Sequence, residues 1–304
     1  MQVSCAWLYA ITRYGYPPSF ENIKRVYREI SDMGFRYAEL EAVGRDNLEQ
    51  LQKGQGQIAS LIRNLGLSLV NMVPVFPELV SLDERRRKAA LDLFRASADL
   101  AAGFGCRTLQ LDSYFPPVPT KTGVPYEDAI KFGVEVQVGY DPSFSWSAFW
   151  SVLVDTVGQC SEIARERGMR LCVEPRIGEN ISNCDAMLRL IEHVKSPNLG
   201  MVFDAGHLHA AKEILPLSMM KMGDRIFYVH VADNDSTHNH HRALGDGSID
   251  WDTFFETLRG IGYDGFVGID VGDVPDIIAA TTASREKAEG ILRRLATPGS
   301  DRSG

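Results

Sequence analysis

Along the whole chain, short runs rich in apolar and β-branched residues alternate with longer stretches whose apolar positions recur at helical spacing. The runs that read as strands are 3–11, 36–42, 67–73, 106–112, 170–175, 199–204, 226–232 and 266–271. Several of the intervening stretches carry helix signals. Ser19 precedes the pattern 20–33 and Asp250 precedes 251–260, where a side-chain oxygen can accept from free backbone amides. Gly34, Gly66, Gly103, Gly168 and Gly262 stand just before the next strand, where a left-handed residue ends a helix at little cost. Strands that alternate with helices imply parallel pairing, and eight such units close into a (β/α)8 barrel. A doubly wound open sheet is the competing arrangement. We expect one barrel domain over 1–296 and a frayed tail at 297–304.

One stretch breaks the rhythm. Residues 113–147 separate the fourth strand from its helix and are rich in Pro, Gly and aromatics, namely Tyr114, Phe115, Tyr126, Tyr140, Phe144 and Trp146. Insertions of this length inside compact domains are usually functional, and the aromatic content argues against disorder. We expect an aromatic and Pro-rich insertion at the catalytic face, acting as a lid or stacking wall; packing on a partner subunit is the other reading.

Composition narrows the class. With 44% hydrophobic and 24% charged residues the 304-residue chain reads as an ordinary soluble protein, with no apolar run near the length of a membrane span. The start lacks the pattern of a signal peptide, so a cytoplasmic location is expected. The five cysteines, Cys5, Cys106, Cys160, Cys172 and Cys184, are scattered, with no CxxC pair. A net charge of -8 disfavours a nucleic-acid partner.

The chemistry emerges from strand parity. In a β/α barrel the site lies at the C-terminal strand ends, so the last inward residue of each strand matters. Leu171 and Val173 share one face of the fifth strand and Cys172, Glu174 and Arg176 the other. The same alternation turns Asp204, then Tyr228 and His230, then Gly268 and Asp270 inward. Glu174, Asp204, His230 and Asp270 thus converge, which is electrostatically costly without a cation. Three carboxylates and an imidazole suit Mn²⁺, Mg²⁺, Co²⁺ or Zn²⁺, and Mn²⁺ is our expectation. Arg176 faces the same cavity and can hold a substrate oxygen or pair with Glu174 or Glu179. By parity Glu41 and Asp112 are rim candidates for hydroxyl recognition, and Trp7 and Tyr9 could form an apolar platform along the first strand.

The pieces VEPR (173–176), FDAGH (203–207), HVAD (230–233) and LGDGSIDW (244–251), with the opening 20–41, resemble the sugar phosphate isomerase/epimerase, or xylose isomerase-like TIM barrel, superfamily. The resemblance spans nearly the whole chain. It implies a catalytic metal at Glu174, Asp204, His230 and the position of Asp270, where most relatives carry the longer Glu. It further implies that His207 contacts substrate or stabilises an oxyanion and that Asp233 orients His230. His241 or Arg242 occupies the place of a substrate-binding side chain.

The expected reaction is proton abstraction beside the carbonyl of a keto-sugar through an enediolate, with Glu174 as base and Asp270 as its partner in proton return. Isomerisation, epimerisation and elimination all start this way, so a lyase acting on 3-oxo-glycosides with a small second subunit is the alternative. Otherwise a homo-oligomer is expected. An abasic-site endonuclease is disfavoured because no His precedes His193, and a non-catalytic sugar-binding barrel ranks below the enzyme readings.

Overall fold

The computed structural model describes residues 1–122, 137–272 and 274–296. Eight parallel strands close into a barrel: β1 (Gln2–Cys5), β2 (Tyr37–Val43), β3 (Ser68–Val75), β4 (Thr108–Asp112), β5 (Arg170–Glu174), β6 (Leu199–Asp204), β7 (Ile226–Val231) and β8 (Phe266–Ile269). Each strand lies between its sequence neighbours and β8 pairs with β1, in register from Gln2 with Phe266 to Cys5 with Ile269. The open-sheet alternative is thereby excluded.

Seven strands fall within two residues of their expected bounds. The first does not. Its strand stops at Cys5, and a helix runs over Leu8–Tyr14, so Trp7 and Tyr9 do not alternate along a strand. The expected glycine stop before β4 also moves: Gly103 lies inside the helix Glu84–Phe104, and Gly105, at φ +80°, caps it in the left-handed conformation. Gly34, Gly66, Gly168 and Gly262 all have the positive φ their position demands. Ser19 accepts from the Asn22 amide at 3.3 Å and Asp250 from that of Thr253 at 3.1 Å. Each such cap is worth about 1 kcal/mol.

Most of the core lies between the strands' outer faces and the helices; Phe203, for example, packs on Phe254 of the helix Trp251–Gly260. Inside the barrel, Val70, Cys172, Val202, Tyr228 and Phe266 form a second, smaller apolar cluster. Two residues further along their strands come Glu174, Asp204, His230 and Gly268. The period of two therefore stacks a polar layer on an apolar plug. Between Ser113 and Ser145 the described residues include a small antiparallel pair, Thr120–Thr122 with Gln137–Val138. Tyr126 and the tail 297–304 lie outside the described residues.

Candidate active site

His230 is the hub. Its Nδ1 lies 2.7 Å from Glu174 Oε1 and 3.8 Å from Asp204 Oδ2, and its Nε2 lies 2.9 Å from Glu39 Oε1. Strand register produces this meeting: Asp204 pairs with His230 across β6 and β7, and Gly268 pairs with His230 across β7 and β8. A Cβ at Gly268 would stand 2.9 Å from the His230 ring, so the close approach requires glycine there.

Ligand atoms of Glu174, Asp204 and His230 all lie within 4.8 Å of one another, and all three residues are buried. Asp204 Oδ1 accepts from the His207 amide at 2.7 Å, whereas Oδ2 is buried with no hydrogen-bond partner. Burial, reinforced by Glu174, pushes the Asp204 carboxyl up to about 7. Burial opposes charge on His230, but Glu39, Asp270 and Glu174 outweigh it and hold the imidazole well above its usual range. An orphaned carboxylate oxygen beside a second carboxylate and an imidazole is a donor set suited to a divalent cation, so the residues fit a metal.

Glu174 is held from below by a directional relay. Thr108 donates to Asn71 at 2.8 Å, Asn71 to Gln110 at 3.0 Å, and Gln110 Nε2 to Glu174 Oε2 at 3.1 Å. Arg176 Nη1 bonds Asp112 Oδ2 at 2.8 Å, a partner not expected from the sequence, while the expected ion-pair partners Glu174 and Glu179 are each 3.7 Å away. Glu41 Oε2 and Asp112 Oδ1 are buried without hydrogen-bond partners. Burial, then Asp112, push the Glu41 carboxyl well up.

Glu39, Glu41, Gln110, Asp112, Glu174, Arg176 and His230 line one cavity, together with Trp7, Leu8, Ile11, Tyr16, Val73, His207, His241 and Asp270, and Asp204 lies behind them. Trp7 reaches it from the mouth of the short helix rather than from a strand, and Leu8 and Ile11, at helical spacing, extend the same apolar wall. The described aromatics of the insertion, Tyr114, Phe115, Tyr140, Phe144 and Trp146, are not among the lining residues. Tyr114 instead donates to the Pro74 carbonyl at 3.1 Å and accepts from the Phe76 amide at 3.0 Å, a structural use.

Two expectations change at the rim, and one open choice closes. Asp270 lines the cavity, but its carboxylate faces His241 Nδ1 at 3.1 Å and it stands outside the three-residue ligand cluster. Burial would raise its pKa; His230 and then His241 outweigh that and lower it. Among the described residues Asp233 forms no hydrogen bond or ion pair with His230 and serves the loop instead. It accepts from the amides of Gly245 at 2.7 Å and Ile249 at 3.3 Å, and from the Trp251 indole at 2.8 Å. Glu39, which was not among the expected site residues, is the carboxylate that takes the other ring nitrogen of His230; it stands two positions before Glu41 on β2 and so shares its inward parity. Of the pair His241 and Arg242, His241 faces the cavity and Arg242 turns out toward Asp235 at 3.4 Å.

A closed parallel barrel with a carboxylate and imidazole cluster at its strand ends defines a class, and sequence comparison confirms it. Residues 27–295 match the family model for xylose isomerase-like TIM barrels, and the chain belongs to that family. A ketose 3-epimerase from Arthrobacter globiformis is 31% identical over 112 residues, 36% of this chain and 37% of that protein. An inosose dehydratase from Geobacillus thermodenitrificans is 26% identical over 145 residues, 42% of this chain and 49% of that protein. The matched stretch thus spans about half or less of these curated relatives. Among solved structures, a D-tagatose 3-epimerase-like protein superposes with a TM-score of 0.72 at 20% identity, covering 97% of this chain and 100% of that one. Among the described residues no helix is long and apolar enough to cross a membrane.

Proposed function

We propose that the protein is a divalent-metal-dependent epimerase or isomerase of a keto-sugar. The observation that carries this reading is the buried cluster of Glu174, Asp204 and His230 with the unpartnered Asp204 Oδ2, set in a cavity lined by further carboxylates. The similarity to a ketose 3-epimerase supports it. Glu174, Asp204 and His230 hold the metal, Mn²⁺ by our expectation, with Asp270 facing the same cavity. When bound, the metal draws electron density from an adjacent carbonyl and so acidifies the neighbouring C–H bond.

The chain's own groups handle the proton. Glu174, whose Oε2 is fixed by Gln110, accepts it from the carbon beside the carbonyl. Asp270, held by His241, returns a proton to the opposite face of that carbon for epimerisation. Return to the neighbouring carbon gives isomerisation. Glu41, Asp112 and Arg176 take the substrate hydroxyls, and Trp7, Leu8 and Ile11 face its apolar side. His207 contributes a hydrogen bond to a substrate oxygen. The natural setting of this reading is a soluble homo-oligomer.

The test is proton exchange. Protein reconstituted with Mn²⁺ is offered a panel of keto-sugars and 3-oxo-glycosides in D₂O, and deuterium incorporation is followed by NMR. Exchange that vanishes on chelation and in Glu174→Gln supports the reading; exchange undiminished in Glu174→Gln removes Glu174 as the base. The similarity to an inosose dehydratase favours a second reading, in which the same proton abstraction leads to loss of a β-substituent. Release of water or an aglycone without an epimeric product would establish that lyase.

A further inference from the structure

Two walls of the cavity are joined by a side chain that the proposed chemistry does not use. Asn239 Nδ2 lies 2.8 Å from His207 Nδ1 and 2.8 Å from His241 Nε2. The orientation of its amide follows from its neighbours. Asn234 Oδ1 accepts from the Ser236 amide at 2.9 Å, and Asn234 Nδ2 donates to the Gly206 carbonyl at 2.9 Å. The same Nδ2 faces Asn239 Oδ1 at 3.4 Å, so the Asn239 oxygen is on that side and its NH₂ group faces the two imidazoles.

An amide NH₂ has two protons to give and accepts none. Both ring nitrogens it meets therefore act as acceptors. For His207 a second donor agrees, since the Ile177 amide points at the same Nδ1 from 3.4 Å. The His207 proton then sits on Nε2, and that of His241 sits on Nδ1, where it meets the Asp270 carbonyl oxygen at 2.7 Å and carboxylate at 3.1 Å. The chain of bonds runs Asn239 to His241 to Asp270 on one arm and Asn239 to His207 on the other.

We propose that Asn239 is a positioning residue that fixes His207 as the Nε2–H tautomer, so that His207 offers the cavity a hydrogen-bond donor and never a base. The site then selects a substrate that presents an acceptor oxygen, such as a carbonyl or the oxyanion it becomes, on the His207 side. Proton removal is left to the carboxylates. This functional consequence rests on the keto-sugar reading; the tautomer assignment does not.

The experiment uses the whole 304-residue chain labelled with ¹⁵N-histidine and loaded with Mg²⁺, which is diamagnetic. The His207 signals are assigned by their loss in His207→Gln. Long-range ¹H–¹⁵N spectra of the wild type are expected to show a pyrrole-type Nε2 and a pyridine-type Nδ1 for His207. In Asn239→Asp a carboxylate replaces the two donors, and His207 Nδ1 is expected to gain a proton. A wild-type His207 protonated at Nδ1 overturns the proposal even if the variant fails to fold, and so does an unchanged His207 pattern in a folded Asn239→Asp. On a keto-sugar that exchanges, Asn239→Asp should lower kcat about 100-fold, as loss of one oriented oxyanion donor does, with KM little changed. Should no keto-sugar exchange in the wild type, the functional reading fails while the spectra still decide the tautomer.

Discussion

Replacing Glu39 by Gln tests how the site holds its imidazole. Glu39 is 1% exposed, accepts from the Trp7 amide at 3.2 Å and faces His230 Nε2 at 2.9 Å, while Nδ1 of the same ring points at the ligand cluster. A carboxylate on the far nitrogen of a metal-binding histidine fixes its tautomer and strengthens it as a donor. Loss of such a partner weakens metal binding about 10–100-fold, or roughly 1.4–2.8 kcal/mol. Gln keeps the shape but has a single acceptor oxygen for two donors, so one of His230 and Trp7 loses its bond. Titration of metal-stripped protein with Mn²⁺ against a competing chelator reads the Kd directly. Thermal melts give an independent measure: at free metal near 100 times the wild-type Kd, binding stabilises the wild type by about 2.7 kcal/mol and a tenfold weaker variant by only about 1.4 kcal/mol. Glu41→Gln is the control, because it removes a carboxylate from the same cavity without a hydrogen bond to His230. A Glu39→Gln Kd within about threefold of wild type, or an equal loss in Glu41→Gln, would refute the positioning argument.

Two further outcomes follow from the same geometry. Asp204→Asn should abolish the thermal gain on adding Mn²⁺ yet raise the melting point of the metal-free protein, because the amide relieves a buried, unpartnered oxygen beside Glu174; a metal-free variant less stable than wild type would count against it. Asp233→Ala strips the acceptor from the Gly245 and Ile249 amides and the Trp251 indole and should cost about 3 kcal/mol of stability, read by urea melts. Its metal Kd should stay within about threefold of wild type, and a larger change would restore Asp233 to the role of orienting His230.

Local pattern alone determined much of this protein. The alternation of strand and helix signals placed seven strands within two residues. Period-two parity then turned Glu174, Asp204 and His230 to the inside, because a strand's side chains can face only two ways. The convergence of those three needs nothing more than parallel strands ending at one face. What parity could not supply is distance across the barrel. Trp7 and Tyr9 read as strand because the four residues of β1 are followed almost at once by a helix of seven residues, too short for its periodicity to show. Glu39 meets His230, 191 positions away in the chain, through barrel closure. The pairing of Asp270 with His241, and the spending of Asp233 on its own loop, depend on how the loops beyond β7 and β8 fold back over the strand ends. Such choices among nearby polar partners are settled by packing in three dimensions. The sequence names the residues that reach the rim, and only the closed barrel decides which of them touch.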